Sequence, residues 1–311
     1  MKCLYTLHFT SVHRVIYTHY LYLRTIAASD ASGIVPRDAN EVSGAVPVHN
    51  AKQMTDFQLF TLQDLGDDLF QKLAEAVDFE LLGKGRRGTN ILLPKGDSYP
   101  IVRTTSVYER AAQRFASVHA MLAQRIEAEM RAQLGEAANV AFNNALVEIY
   151  TPAYTKMGFH SDQALDLAAG SYIALFSCYD EPQTAQKRLL QIEHKSSGRA
   201  WELTLEQHSV VYFSLAANAE FRHRIVLEQP KKKQPQREGA QWLGLTFRQS
   251  KTYVHFREGQ PFFDDGRALL VADEGERQAF FSLRSAENSS TGFEYPPLDF
   301  TISASDRLPP V

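Results

Sequence analysis

The clearest hydrophobic pattern in the first half of the chain covers residues 109–134. Apolar side chains recur there at three- and four-residue spacing, with arginine, glutamine and glutamate between them, and Gly135 follows. This spacing predicts an amphipathic helix that packs one face on a sheet and ends at a glycine cap. Residues 69–77 show the same spacing and predict a second, shorter helix.

Beyond residue 140 the period of the pattern shortens toward two. Short apolar segments alternate with turn signals such as Glu181-Pro182 and Ser197-Gly198. Many short strands at this spacing predict an all-β sandwich or barrel supported by the helices. The predicted strands are residues 146–150, 172–179, 189–194, 200–205, 210–215, 221–227 and 242–247.

Composition and net charge limit the partners and the cellular location that we expect for the protein. The chain has 311 residues and a net charge of −3, so nucleic-acid binding would require a local basic patch. Cys3 and Cys178 are far apart and fit neither a disulfide framework nor a zinc pair, which favours a reducing, cytoplasmic location. No run reaches the roughly 18 to 20 apolar residues of a membrane span, so we expect no membrane insertion.

The first 55 residues differ from the rest of the chain. Residues 1–26 are rich in Tyr, His, Thr and Leu, and the histidines interrupt the apolar core that a signal peptide needs. Residues 30–53 carry turn formers without a clear period. We expect a poorly ordered extension or an assigned start upstream of the true one, and a real N-terminal strand is the alternative.

A candidate metal site lies at His160-Ser161-Asp162, after the strand-like run ALVEIY. Side chains at i and i+2 of a strand point to the same face, so His160 and Asp162 suit one metal. His223 would complete the 2-His-1-carboxylate arrangement of non-haem Fe(II) oxygenases. A jelly-roll or cupin barrel would bring these segments, and the strand that ends in Arg248, to one mouth. The alternative for His223 is a structural strand histidine.

Three polar segments have two interpretations each. The basic turns GKGRRG (residues 83–88) and KKKQPQR (residues 231–237) are predicted to be solvated loops, and a phosphate contact is the alternative for each. Residues 99–108 form an extended segment that is either an edge strand or a substrate-facing wall. In the second case Arg103, Thr105 and Tyr108 would contact the substrate.

Four blocks carry a resemblance to a known family: ALVEIYTPAYTKMGFHSD, SYIALFSCY, VVYFSLAANAEFRHRIV and WLGLTFRQS. Together they resemble the AlkB-type Fe(II)/2-oxoglutarate dioxygenases over about residues 143–250. The most specific points are the tyrosine ten residues before the His-x-Asp motif, the distal histidine and the closing LTFRQ.

The resemblance implies a double-stranded β-helix with helices on its outer face. It implies that His160, Asp162 and His223 bind Fe(II), and that Tyr150 and Arg248 contact 2-oxoglutarate. Arg suits a dicarboxylate because its planar fork pairs with carboxylates. The family also places a nucleotide-recognition lid before the barrel, about where residues 103–108 fall.

The chain departs from the family pattern around the co-substrate. Trp242 replaces the first arginine of the closing motif, Gly244 replaces its asparagine, and Glu148 stands where asparagine is common. Further co-substrate contacts would have to come from Thr246 or Lys251. Glu148 is also a candidate to pair with Arg248 and weaken the site.

We therefore predict four regions and an oxidoreductase function. The regions are the extension (1–55), helical support with the substrate lid (56–140), the catalytic β-helix (141–257) and an irregular C-terminal segment packed on it (258–311). The predicted reaction uses O2 and 2-oxoglutarate, releases succinate and CO2, and hydroxylates or oxidatively N-demethylates a substrate. Alkylated nucleic acid competes with a small molecule or a protein as the substrate. A non-catalytic binding module and an isomerase or hydrolase with another metal are weaker alternatives.

Overall fold

A computed structural model describes residues 56–229 and 239–311. The predicted extension and the basic segment 231–237 lie outside the described residues. The strands are β1 Phe57–Thr61, β2 Glu80–Gly83, β3 Arg86–Leu92, β4 Tyr99–Pro100, β5 Gln113–Arg114, β6 Asn144–Tyr150, β7 Tyr172–Tyr179, β8 Arg188–His194, β9 Ala200–Leu205, β10 Ser209–Ser214, β11 Phe221–Leu227, β12 Trp242–Arg248, β13 Tyr253–Arg257, β14 Gln260–Phe263, β15 Leu270–Val271 and β16 Phe300–Thr301. The helices are α1 Leu69–Glu75, α2 Ser117–Leu134, α3 Leu215–Glu220 and α4 Glu274–Ser289, with a 3-10 turn at Ala304–Arg307.

Two antiparallel layers form the barrel. The larger sheet has the order β1-β10-β7-β12-β6-β3-β2, with the short β5 added beside β3. The smaller sheet has the order β11-β8-β9. The predicted class, mainly β with supporting helices and a jelly-roll core, is confirmed.

Strand alternation gives the large sheet two different faces. On β12, Leu243, Leu245 and Phe247 join the core cluster that contains Leu73 of α1 and Leu122 of α2. The residues between them point to the opposite face, which packs against the small sheet. That second face holds the apolar cluster with Tyr150 and Trp242 as well as the open space of the barrel.

The predicted strands agree closely with the observed ones, but the long helix starts later than predicted. Helix α2 begins at Ser117 rather than at residue 109. Gln113 and Arg114 pair instead with β3, and the Phe115 N–H donates to the Leu92 carbonyl at 2.9 Å. The apolar spacing of the helix extends into residues 109–116, but the backbone of residues 113–115 forms hydrogen bonds with strand β3 and is therefore not helical.

The C-terminal segment is more regular than predicted. Residues 258–311 contain strand β14, which pairs with β13, and the 16-residue helix α4, so the expectation of irregular structure is wrong. Asp273 and Glu276 form a reciprocal capping box at the start of α4. This Asp-x-x-Glu spacing is readable in the sequence and indicates a helix start. None of the helices in the described residues is long and apolar enough to cross a membrane.

Arg103 ties the segment before α2 to the C-terminal segment. Its guanidinium is bidentate on Asp166, with an Nη2–Oδ1 distance of 2.7 Å, and Nη1 donates to the carbonyls of Leu298 and Phe300. Both charged side chains are buried, at 4% and 0% exposure. Arg103 therefore makes a structural contact in place of the predicted substrate contact.

We expect the Arg103→Met substitution to destabilise the fold by about 3–5 kcal/mol, because it leaves the buried Asp166 carboxylate without its partner. Denaturant unfolding followed by circular dichroism measures this loss. Arg267→Met removes an exposed arginine from its pair with Asp265 and should leave the midpoint unchanged. Equal midpoints for the two variants would contradict the role assigned to Arg103.

Candidate metal and co-substrate site

The two candidate histidine ligands lie side by side because their backbones pair. The N–H of His160 donates to the carbonyl of His223 at 2.9 Å, and the N–H of His223 donates back at 2.7 Å. This bridge attaches the segment after β6 to β11, and the ring centroids lie 4.7 Å apart. One nitrogen of each imidazole and one oxygen of Asp162 lie within 4.8 Å of one another.

The loop that carries Asp162 is held from two sides. The Asn218 amide of α3 accepts from the Asp162 N–H at 2.9 Å and donates to its carbonyl at 2.8 Å. From α4, Asn288 accepts from the Ser161 N–H and Glu287 accepts from the Ala164 N–H. Neither α3 nor α4 was predicted, so these positioning residues were missed by the sequence reasoning.

The protonation states of the three side chains suit a metal cation. Burial lowers the pKa of His223 to about 3, and it also lowers the pKa of His160, so both imidazoles are neutral. Burial acts to raise the pKa of Asp162, but the positive charge of Arg248 is the largest opposing cause and the pKa lies below its ordinary value. Neutral imidazoles and an ionised carboxylate are the forms that bind metals.

The hydrogen bonding of the triad also fits a metal. Arg248 Nη2 donates to Asp162 Oδ1 at 2.9 Å, whereas the buried Oδ2 has no hydrogen-bond partner among the described residues. The His160 Nδ1 lies 3.1 Å from the Gly158 carbonyl, which leaves Nε2 for a ligand. A buried carboxylate oxygen without a partner is costly, and a metal would satisfy it.

A cavity of about 430 Å³ opens over this triad, between the two sheets. Ile173, Leu175, Leu190, Phe213 and Ile225 provide its apolar wall. The side chains that bring charge to it are Arg86, Glu148, Lys156, Asp162, Arg248 and Arg284. In the described ranges, 56–229 and 239–311, no second group of three candidate metal ligands comes together.

The cavity end opposite Asp162 is occupied by a charged network. Tyr150 Oη donates to Glu148 Oε2 at 2.7 Å, and Arg86 Nε and Nη2 donate to Glu148 Oε1 at 2.7 and 2.6 Å. Glu148 therefore pairs with Arg86, and the alternative pairing with Arg248 is wrong. Arg86 lies in the β2–β3 hairpin at the turn predicted to be a solvated loop, so this functional candidate was missed.

The family model described as the 2OG-Fe(II) oxygenase superfamily matches residues 85–248, more than half of the chain. The chain belongs to the 2OG-Fe(II) oxygenase superfamily. This oxygenase is thus a dioxygenase that uses Fe(II) and 2-oxoglutarate, as the resemblance implied.

Solved structures similar to this oxygenase include the following two examples. A structure of OsALKBH1 has 16% identity and a TM-score of 0.43, covering 62% of this chain and 98% of that chain. A prolyl-4-hydroxylase from Pseudomonas putida has 12% identity and a TM-score of 0.37, covering 64% of this chain and 96% of that chain. No curated protein sequence matches the chain.

The remaining predicted contacts divide between the cavity and its surroundings. Thr105 and Thr246 line the cavity, and the Thr105 N–H donates to Gln163 at 2.6 Å. Tyr108 is buried outside the lining, and its N–H donates to Ser303 at 2.9 Å. Lys251 is exposed and does not line the cavity. The predicted wall therefore contributes Thr105 but neither Arg103 nor Tyr108.

Asn218 provides a test of the geometry around the triad. We expect Asn218→Ala to weaken Mn²⁺ binding by about 10- to 100-fold, because the loop that carries Asp162 loses both amide hydrogen bonds. Titration calorimetry of the apoprotein with Mn²⁺ measures the affinity. The matched control is Asn139→Ala, since Asn139 is exposed and bonds outside the cavity. Equal weakening in both variants would contradict the role of Asn218.

Proposed function

We propose that His160, Asp162 and His223 hold Fe(II), and that the enzyme oxidises a substrate C–H bond in the manner of AlkB-type dioxygenases. The single observation that carries this proposal is the convergence of the three side chains at the cavity with Asp162 Oδ2 unpartnered. When bound, Fe(II) and 2-oxoglutarate supply the oxidation: one atom of O2 enters succinate, the other enters the substrate, and CO2 leaves. An N-methyl substrate hydroxylated in this way loses formaldehyde and is demethylated.

The chain's own residues prepare this reaction in three ways. Arg248 orients the Asp162 carboxylate and offers further N–H donors to the co-substrate, and its Nε has no partner among the described residues. Thr246, next to it on the cavity face of β12, adds a hydroxyl. The apolar wall lowers the polarity on one side of these groups, which strengthens their charge interactions.

The charges of the cavity favour an anionic substrate such as alkylated nucleic acid. Arg86 and Arg248 each pair with a carboxylate of the cavity. Lys156 and Arg284 also line it, and neither forms an ion pair with a described carboxylate. These two charges could receive phosphates, which compensates for the acidic net charge of the chain. A small molecule or a protein with an anionic group is the alternative substrate.

Turnover without a prime substrate tests the reaction. Protein purified without oxygen, then given Fe(II), 2-oxoglutarate and oxygen, should form succinate slowly. His160→Ala should form none, because the metal loses a ligand, and Arg248→Ala should be strongly impaired. His194→Ala, which changes a histidine of β8 outside the cavity, is the control and should keep the wild-type rate. Succinate formation by His160→Ala would contradict the assigned ligands.

A substrate screen tests the anionic class. With methylated oligonucleotides, we expect the Lys156→Gln and Arg284→Gln changes together to raise KM by about tenfold or more, since each removes a charged contact. The Lys95→Gln control should keep the wild-type KM for the same oligonucleotides, because Lys95 is exposed outside the cavity. Turnover of uncharged amines but not of oligonucleotides would favour the small-molecule alternative.

A further inference from the structure

Three side chains stand in a row across the large sheet at the cavity end far from Asp162. Tyr150 of β6 is in register with Trp242 of β12 on one side and with Arg86 of β3 on the other. Paired residues of neighbouring strands point to the same face, so all three side chains lie on the face toward the small sheet. The arrangement places one cation, one hydroxyl and one indole side by side.

Trp242 closes its part of this row to any ligand. Its indole lies over Gly244, where an added Cβ would come within 2.1 Å of the ring, and it packs on Tyr150 at 4.9 Å between ring centroids. Trp242 is only 2% exposed and does not line the cavity. Strand β12 therefore offers no cation at this end, and Arg86 is the cation that the sheet supplies there.

Glu148 accepts the hydrogen bonds of the donors at this end of the cavity. Its two carboxylate oxygens accept from Tyr150 Oη and from the Arg86 guanidinium, as a bound carboxylate would. Burial, followed by the charge of Glu148, raises the pKa of Tyr150, so the hydroxyl keeps its proton and remains a donor. Gly88 is in register with Glu148 on the neighbouring strand β3, and the close neighbour that a Cβ added there would meet is Leu82 Cδ1, at 2.8 Å.

A 2-oxo acid that binds at the triad has a second carboxylate to place. Arg248 lies at the metal end, where it holds the Asp162 carboxylate, so it is not placed for a carboxylate at the other end of the ligand. Lys156 is exposed, and Arg284 comes from α4 rather than from the sheet. Away from the metal, Arg86 is then the cation of the large sheet that lines the cavity, and it is bound to the internal carboxylate of Glu148. Tyr150 is fully buried and does not line the cavity, and its hydroxyl donates to the same carboxylate.

We propose that Arg86 is the cation for the distal carboxylate of 2-oxoglutarate and that Glu148 is an internal anion that competes with it. This inference rests on the proposed function, because it requires the 2-oxo acid to bind beside His160, Asp162 and His223. Binding of the distal carboxylate takes Arg86 from Glu148. Competition from Glu148 therefore makes the affinity for 2-oxoglutarate lower than it would be if Arg86 were free.

The experiment compares two ligands that differ only at the distal end. 2-Oxopentanoate has the five-carbon chain and the 2-oxo acid of 2-oxoglutarate, with a methyl group in place of the distal carboxylate. Titration calorimetry of the Mn²⁺-loaded protein without oxygen measures both affinities without turnover. The proteins are the wild type, Glu148→Gln and the double variant Glu148→Gln/Arg86→Met. The double variant avoids leaving Glu148 charged and unpaired.

We expect Glu148→Gln to bind 2-oxoglutarate about tenfold tighter or more than the wild type, since the freed donors make charged hydrogen bonds to the ligand. Its affinity for 2-oxopentanoate should stay within about twofold, because the terminal methyl group of that ligand cannot accept a hydrogen bond from the freed donors. Adding Arg86→Met should remove the gain. Glu148→Gln/Arg87→Met is the matched control and should keep it, because Arg87 lies on the opposite face of β3 and is exposed.

Three results would overturn the inference. They are an unchanged or weaker affinity of Glu148→Gln for 2-oxoglutarate, an equal gain for both ligands, and a gain that survives Arg86→Met. In each case wild-type binding of a 2-oxo acid would still support the proposed function. A wild-type protein that binds Mn²⁺ and neither ligand would instead overturn the proposed function together with this inference.

Discussion

The site depends on two backbone hydrogen bonds between His160 and His223. They join a segment that follows β6 to a strand more than sixty residues later, and they bring two imidazoles to one side of a cavity. Asp162 is then positioned by the Asn218 amide, which hydrogen-bonds both the N–H and the carbonyl of the Asp162 backbone. The positions of these three side chains are thus determined mainly by main-chain contacts, which leaves their side-chain atoms available to bind a metal.

Charge pairing organises the rest of the cavity. Each of the two carboxylates that face it has its own arginine, Asp162 with Arg248 and Glu148 with Arg86. Burying a charge without a partner is costly, so each pair stabilises the fold while it holds groups that a ligand would use. The metal end and the far end therefore differ: at the first, one carboxylate oxygen is unpartnered, and at the second both oxygens are bound.

Local sequence patterns predicted most of the β-strands. The predicted strand 172–179 coincides with β7 and the predicted strand 221–227 with β11, because alternation and β-branched or aromatic residues are local properties. The convergence of His160, Asp162 and His223 was also readable, since the His-x-Asp spacing and the order of segments suit a barrel. The start of α2 was not readable, because its hydrophobic spacing extends into a segment whose backbone pairs with β3.

The sequence by itself determined the strands, the family and the three side chains that converge at the cavity. Only the tertiary structure decided which partners those side chains have. Arg86 lies beside Glu148 because β3 is the neighbour of β6, and Arg103 is buried because Asp166 and the carbonyls before and within β16 surround it. Such pairings depend on strand order and on contacts between residues far apart in the chain, which residue spacing does not contain.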